Sequence, residues 1–408
     1  PSTVAGILSI PLIYLLARRL AGSTVGLLAA GLLAISPYHV WYSQEAKMYA
    51  LVVLLALLST LALVEALERN RAVFWVAWVG VTTLMFYTHV TSVLVFVAQV
   101  GFVLATRSSW RGRERAGLLA VAALTLPYVP IALWAARVVG GEVTTWQPDT
   151  GLREAIRIFS VKFAVNRAAT DIETQAALLF VMLAVVGTTV LIWRRQRQQW
   201  WGLLTLLVVV PVVGLYLVSL RQSVFSDRYA IVALPAYLIL VAAGSAWLVR
   251  HRRLWPVGAL ALFLLVSFAW QPLRDVNRSE GAQKGEWRSG WAEVARRDEP
   301  GDAFIVQPGY IISTVEYFNE RVPELRGHAI VTVPSPGVST LSDAVLASVV
   351  REQSAGATRL WLIQSPDRVA TDDPDGRLRG WLDETGAVVY DQEVNGVRIT
   401  LYALPVGW

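Results

Sequence analysis

The chain has 408 residues, 55% of them hydrophobic and 16% charged, with a mean hydropathy of +0.49. That composition excludes an ordinary soluble globule, and the lack of Cys excludes disulfides and thiolate chemistry. The net charge of +6 is unevenly divided. Residues 1–271 carry 22 Lys+Arg against 10 Asp+Glu, and residues 272–408 carry 14 against 20. The pI near 9.6 therefore reflects basic loops on a membrane half, not a nucleic-acid surface.

The N-terminus does not read as a signal peptide. The chain begins with Pro1 and enters an apolar run almost at once, the pattern expected where an upstream portion is missing. Ten segments are apolar over a length that suits a membrane helix: about 3–17, 24–42, 49–67, 72–88, 90–106, 116–136, 174–193, 201–219, 229–249 and 254–271. Five of the loops between them are basic. They hold Arg18-Arg19, Arg69 with Arg71, Arg107 through Arg115, Arg194 through Arg197, and Arg250 through Arg253. The positive-inside rule assigns these loops to the cytoplasm, and they alternate without a slip. The apolar stretch 72–106 is too long for one helix and is divided near His89.

The opposite loops hold the residues that lipid tolerates poorly, which are functional-site candidates by default. Ser36-Pro-Tyr-His-Val-Trp-Tyr-Ser-Gln-Glu-Ala-Lys-Met-Tyr49 packs Gln44, Glu45, Lys47 and the hydroxyls of Tyr42 and Tyr49 between two apolar runs. An aromatic belt would account for Trp41 and Tyr42 but not for the charges. A helix beginning near Tyr42 would put Tyr42, Glu45 and Tyr49 on one face and would keep Glu45 and Lys47, two residues apart, from pairing. His89 lies in Phe86-Tyr-Thr-His-Val-Thr-Ser92, a polar island in an apolar context. Its readings are a satisfied polar residue, a phosphate donor or a metal ligand. Residues 151–164 carry Leu152, Ile156, Phe159 and Phe163 at helical spacing, which reads as an amphipathic helix in the interface plane or as a plain connection. Arg221 through Tyr229 contains Asp227-Arg228-Tyr229 just before a span with Pro235. A guanidinium there suits a lipid-linked phosphate, against a background of simple snorkelling. Asp227 would orient Arg228 or cap the following helix.

After Pro272 the pattern changes. Residues 272–290 read as a linker, and 291–408 as a separate domain. Helices are expected near 287–298, 310–320, 340–353 and 376–385. Strands are expected at 303–307, 328–333, 358–364, 387–393 and 397–404. This is a small, mostly parallel α/β domain with no Gly-rich phosphate loop and no Gly-x-Ser-x-Gly elbow. Pro300-Gly-Asp302 reads as a turn into a strand and not as a site.

A carboxylate, cations and hydroxyls gathered at one membrane face suit the transfer of a sugar from a lipid-phosphate carrier. That chemistry needs a base for the acceptor and positive charge on the leaving phosphate. Three stretches then resemble the polytopic GT-C glycosyltransferases, in particular the bacterial relatives of dolichyl-phosphate-mannose protein mannosyltransferases, family 39. They are Pro11-Leu-Ile-Tyr-Leu-Leu-Ala-Arg-Arg19, the Ser36-Pro through Ser43-Gln-Glu-Ala-Lys-Met-Tyr49 stretch with Lys47 where the family has Arg, and Asp227-Arg228-Tyr229 before a Pro-containing span.

The resemblance covers about 1–271. It implies a GT-C-like membrane domain with a C-terminal extracytoplasmic α/β domain in a multi-pass inner or plasma membrane. It implies a polyprenyl-phosphate-linked hexose or pentose donor, a cell-envelope acceptor and no nucleic acid. The carrier phosphate and substrate fall to Lys47, Arg228, Tyr229, Tyr42, Gln44, Tyr49 and His89. A divalent cation, used by some members, would fall to Glu45 and His89. The acidic catalytic residue of the family sits on a first outer loop that would precede Pro1, and Glu45 is the carboxylate within these residues best placed for a base. Two other classes fit the composition. A transporter or flippase would show internal repeats and paired broken helices, and neither is found. A non-catalytic membrane-anchored binding protein would use residues 272–408 as its working part.

Overall fold

The computed structural model describes residues 1–139, 151–166, 171–193, 199–221, 225–276, 287–332, 342–354, 356–366, 369, 373, 375–394 and 396–405. It forms two compact units, Pro1–Arg274 and Asp275–Trp408.

The first unit is helical because apolar runs in lipid must satisfy their backbone groups internally. Its helices are α1 (Ser2–Ala21), α2 (Ser23–Ala34), α3 (Pro37–Ser43), α4 (Tyr49–Arg69), α5 (Ala72–Thr88), α6 (Val93–Ala105), α7 (Glu114–Val139), α8 (Leu152–Val165), α9 (Asp171–Trp193), α10 (Trp200–Ser219), α11 (Leu234–Arg250) and α12 (Trp255–Val276). Short 3-10 turns cover Val90–Ser92, Arg107–Trp110 and Asp227–Ala233. Six helical stretches among the described residues are long and apolar enough to cross a bilayer, and α2 with α3, bent by 59°, makes a seventh. α5 and α6 are apolar but shorter, so the count among the described residues is roughly consistent with the expected ten without reaching it.

The bend between α2 and α3 has a local cause. Ser36 caps α3, its hydroxyl accepting from the His39 N–H at 3.3 Å, and Pro37 occupies the first helical turn. The chain reverses between α1 and α2 through Gly22, whose φ of +97° is costly for any residue with a Cβ. α11 is the central helix, buried from Leu234 through Ala246 and packed on α2, α9 and α10.

Basic residues gather at one end of this unit. Arg19 on α1 pairs with Glu68 and Glu65 at the end of α4, Arg69 pairs with Glu65, and the Arg250 guanidinium donates to Thr24 Oγ1 at 2.5 Å. The amphipathic helix forms as α8, but its stripe is divided. Phe159 and Phe163 are buried against the bundle with Ala155, while Leu152 and Ile156 are more than half exposed. α8 packs on α3 and α9.

In the second unit, α13 (Trp287–Ala295), α14 (Ile312–Arg321), α15 (Asp343–Gln353) and α16 (Arg377–Thr385) flank strands β1 (Asp302–Gln307), β2 (Ala329–Thr332), β3 (Arg359–Gln364), β4 (Ala387–Val394) and β5 (Val397–Ala403). The sheet order is β2-β1-β3-β5-β4. The expected mostly parallel sheet is instead mixed, since β2, β1 and β3 run parallel while β5 and β4 pair antiparallel. The helical segments enter the expected linker from both sides, to Val276 and from Trp287; residues 277–286 lie outside the described residues. One face packs Phe304, Trp361, Ile399 and Trp291, and the other packs Ile305, Leu362, Leu346 and Leu378.

Asp302, read from sequence as a plain turn residue, locks the parallel strands together. It faces Arg359 in register, accepts two hydrogen bonds from its guanidinium at 2.8 and 2.7 Å, and accepts a third from Trp361 Nε1 at 2.8 Å. Its side chain is 1% exposed. Asp302→Ala leaves the buried Trp361 indole N–H unpaired and removes two hydrogen bonds from Arg359, whose guanidinium keeps Glu299 and the Arg297 carbonyl, a loss of about 1–3 kcal/mol. The expected result is collapse of hydrogen-exchange protection across β1 and β3 in the full-length protein. Protection equal to that of the native chain would show that the pair is not structural.

Candidate functional site at the polar end of the bundle

The helix expected to run on from Tyr42 does not form. α3 ends at Ser43, residues 44–48 are a bend, and α4 starts at Tyr49. Two hydrogen bonds strap this bend to the start of α1: Ser2 Oγ donates to the Lys47 carbonyl at 3.1 Å, and Thr3 Oγ1 donates to the Ser43 carbonyl at 3.2 Å. Freed from helical geometry, Glu45 and Lys47 make the ion pair that helix spacing would forbid, with Nζ 3.0 Å from Oε1. Lys47 and Gln44 are exposed, and Glu45 is half-buried.

Tyr42, Tyr49, His89, Tyr229 and Arg228, far apart in sequence, are brought together. Tyr42 and Tyr49, the last turn of α3 and the first residue of α4, meet at a ring distance of 5.0 Å. Tyr49 meets His89 at 5.6 Å, His89 meets Tyr229 at 5.3 Å, and the Arg228 guanidinium lies 5.5 Å from the Tyr229 ring centroid. Tyr38 extends the series from the other side, 4.9 Å from Tyr42, and Phe163 of α8 backs it at 5.6 Å. Thr91 ties the segments together. Its hydroxyl lies 2.7 Å from His89 Nδ1 and donates to the Tyr229 carbonyl at 3.1 Å. With Nδ1 engaged, Nε2 is the ring nitrogen that can meet a ligand.

Arg228 is half-buried, and its Nε is buried without a hydrogen-bond partner. The Tyr38 hydroxyl is in the same state. Asp227 acts electrostatically on Tyr38, Tyr42 and Tyr49, and Arg228 acts on Tyr42, Tyr49 and His89, so both charges belong to this cluster. An aromatic-walled guanidinium with an uncommitted donor is suited to a phosphate.

Glu45 and His89 each have a protein partner in this structure. Glu45 is taken by Lys47 and His89 Nδ1 by Thr91, and among the described residues no group of three His, Asp or Glu could hold a metal. Tyr38, Thr91 and Phe163 belong to the cluster although sequence reasoning passed over them. Tyr38 was findable, four residues before Tyr42 on the same short helix. Thr91, in the polar island, and Phe163, on the 151–164 stripe, carry local signals, but only tertiary packing brings them to this cluster. The site lies at the opposite end of α4 from Glu65 and Glu68, hence opposite the basic loops.

Residues 1–134 match the family model of the dolichyl-phosphate-mannose-protein mannosyltransferases. That match includes the 36–49 stretch and His89. No curated protein is similar in sequence. Among solved structures, the chain is similar to ArnT from Cupriavidus metallidurans in the apo state. That comparison covers 98% of this chain and 82% of that one, with 13% identity and a TM-score of 0.54. The undecaprenyl phosphate-bound form of the same protein aligns over 100% of this chain and 84% of that one, with 12% identity and a TM-score of 0.49.

Proposed function

From a chain that carries the dolichyl-phosphate-mannose-protein mannosyltransferase signature on a polytopic GT-C fold, we infer a membrane glycosyltransferase. It moves a sugar from a polyprenyl-phosphate carrier to a glycan, lipid or protein acceptor of the cell envelope. The observation that carries this reading is the convergence of the 42–49 stretch, His89 and Asp227-Arg228-Tyr229 at one end of the bundle. In the reaction, an acceptor hydroxyl forms a bond to the sugar's anomeric carbon while the bond from that carbon to the carrier phosphate breaks. The hydroxyl proton goes to a carboxylate, and the phosphate leaves with the electron pair. Arg228 and Lys47 stabilise the charge that develops on the phosphate. Tyr42, Tyr49, Tyr229 and His89 Nε2 position it, and Gln44, exposed on the 44–48 bend, belongs to the same substrate-binding set. Glu45 and Asp227 supply carboxylates beside the cluster. Placement of this end opposite the basic loops supports an extracytoplasmic reaction, and the single helix α12 that follows the basic loop 250–253 supports an extracytoplasmic C-terminal domain.

The test is transfer of labelled sugar from a panel of polyprenyl-phosphate donors to envelope extract by the full chain in proteoliposomes. Carrier-dependent transfer is expected, and its absence across the panel would overturn the reading. Glu45→Gln is expected to lower kcat by about 10²-fold if Glu45 takes the proton. A changed KM with kcat intact would instead assign Glu45 to holding Lys47 in place. Wild-type kinetics would leave the bend purely structural.

A further inference from the structure

A cavity of about 370 Å³ opens between α4, α5, α6 and α7 at the end of the bundle that carries the basic loops. It shares no residue with the polar site. Its α4 contributors are Leu63 and Leu67, some fourteen to eighteen residues beyond Tyr49, so roughly 20–27 Å along the helix separates the two. The cavity wall is carbon. Trp75, Trp78 and Trp110 line it, but each indole N–H is committed elsewhere: Trp75 to Asn70 Oδ1 at 3.3 Å, Trp78 to Gln99 Oε1 at 2.8 Å, and Trp110 to Thr106 Oγ1 at 2.9 Å. Leu104 and Leu118 on the rim are 65% and 71% exposed, so the cavity opens toward the side where lipid would lie.

The rim is not apolar throughout. Arg107 is exposed, and Arg113 is half-buried over the Trp110 ring at 5.6 Å. The terminal nitrogen of Arg113 makes a long 3.4 Å bond to the Glu68 carbonyl, and its Nε is buried with no hydrogen-bond partner. Two guanidiniums, one with a buried donor uncommitted, stand at the mouth of a mostly apolar pocket, beside the Glu114 carboxylate, which accepts from the Gly112 N–H at 2.7 Å. Basic pockets between membrane helices at the positive end recognise anionic headgroups.

We propose that this cleft is a binding site for an anionic glycerophospholipid, with one acyl chain in the cavity and the phosphate against Arg107 and Arg113. Charge complementarity selects the headgroup, and the carbon wall selects the chain. The lipid bridges α4, α5, α6 and α7, so it acts as a filler of the helix contact that would otherwise be a void.

The full chain, delipidated in mild detergent, is titrated with phosphatidylglycerol, phosphatidylcholine or undecaprenyl phosphate. Bound lipid is counted by native mass spectrometry, and the unfolding temperature is followed in parallel. Phosphatidylglycerol is expected to be retained at least about tenfold more strongly than phosphatidylcholine and to raise the unfolding temperature. The Arg107→Ala/Arg113→Ala variant is expected to reduce phosphatidylglycerol to the phosphatidylcholine level. Gly117→Leu tests the cavity without touching the charges. A Cβ at Gly117 meets only Trp75, at 3.7 Å, so the larger side chain enters the cavity without displacing backbone. It is expected to abolish retention. Equal retention of the two phospholipids, unchanged preference in both variants, or displacement of phosphatidylglycerol by equimolar undecaprenyl phosphate would each overturn the proposal.

Discussion

Arg228→Ala is expected to lower sugar transfer by about 10²–10³-fold while the protein still inserts and purifies as one species, a loss of roughly 3–4 kcal/mol of transition-state stabilisation. The argument rests on what holds the neighbourhood together without it. The segment around Tyr229 is anchored by its backbone carbonyl, which accepts from Thr91 Oγ1 at 3.1 Å, and by the buried run Ala230–Ala233. Neither depends on the guanidinium. The cation makes a ring contact with Tyr229 and leaves Nε uncommitted, so its removal costs little folding energy and much phosphate affinity. Arg228→Lys keeps the charge but loses the forked donors, and is expected to recover only part of the rate. Measured with labelled donor and normalised to inserted protein, activity of the Ala variant within a few-fold of wild type would remove Arg228 from the phosphate site.

The elements were legible because their signals are local. The apolar segments are helical, though 24–42 is broken in two and 90–106 and 229–249 begin as 3-10 turns, since apolar runs in lipid must satisfy their backbone internally. The second segment, read as one span over 24–42, is instead bent at Ser36-Pro37, where Ser36 caps a new helix. The alternating strands and helices after Pro272 were readable for the same reason, but their mixed pairing was not, because whether β5 runs with or against β3 depends on a turn and not on periodicity. At the site, the residue types were legible and the contacts were not. Glu45 and Lys47 pair because 44–48 leaves helical geometry under the pull of Ser2 and Thr3, some forty residues away. Asp302 looked like punctuation because its partners, Arg359 and Trp361, arrive through the parallel register of β1 and β3.

The same long-range logic makes Gly244→Leu the most damaging expected change outside the site. α9 and α11 cross backbone to backbone at Gly187 and Gly244. A Cβ at Gly244 would be driven into the Leu183 carbonyl oxygen, and one at Gly187 into that of Leu240; each would also lie within 3.0 Å of the other glycine's backbone nitrogen. Both obstacles are main chain, so no rotamer change relieves them, and the helices must separate. α11 is the central helix, packed on α2 and α10 as well, so separation there loosens the whole unit. A cost of more than about 3 kcal/mol is expected, beyond ordinary overpacking of flexible side chains. The readouts are the yield of monodisperse protein and the unfolding temperature in detergent. Gly80→Leu on α5 serves as the control, because a Cβ there meets nothing within 4 Å. Loss with Gly244→Leu and tolerance of Gly80→Leu would place the effect in the crossing. Equal tolerance of both would mean that α9 and α11 do not approach this closely, and the central position of α11, on which the placement of Arg228 and Tyr229 depends, would have to be redrawn.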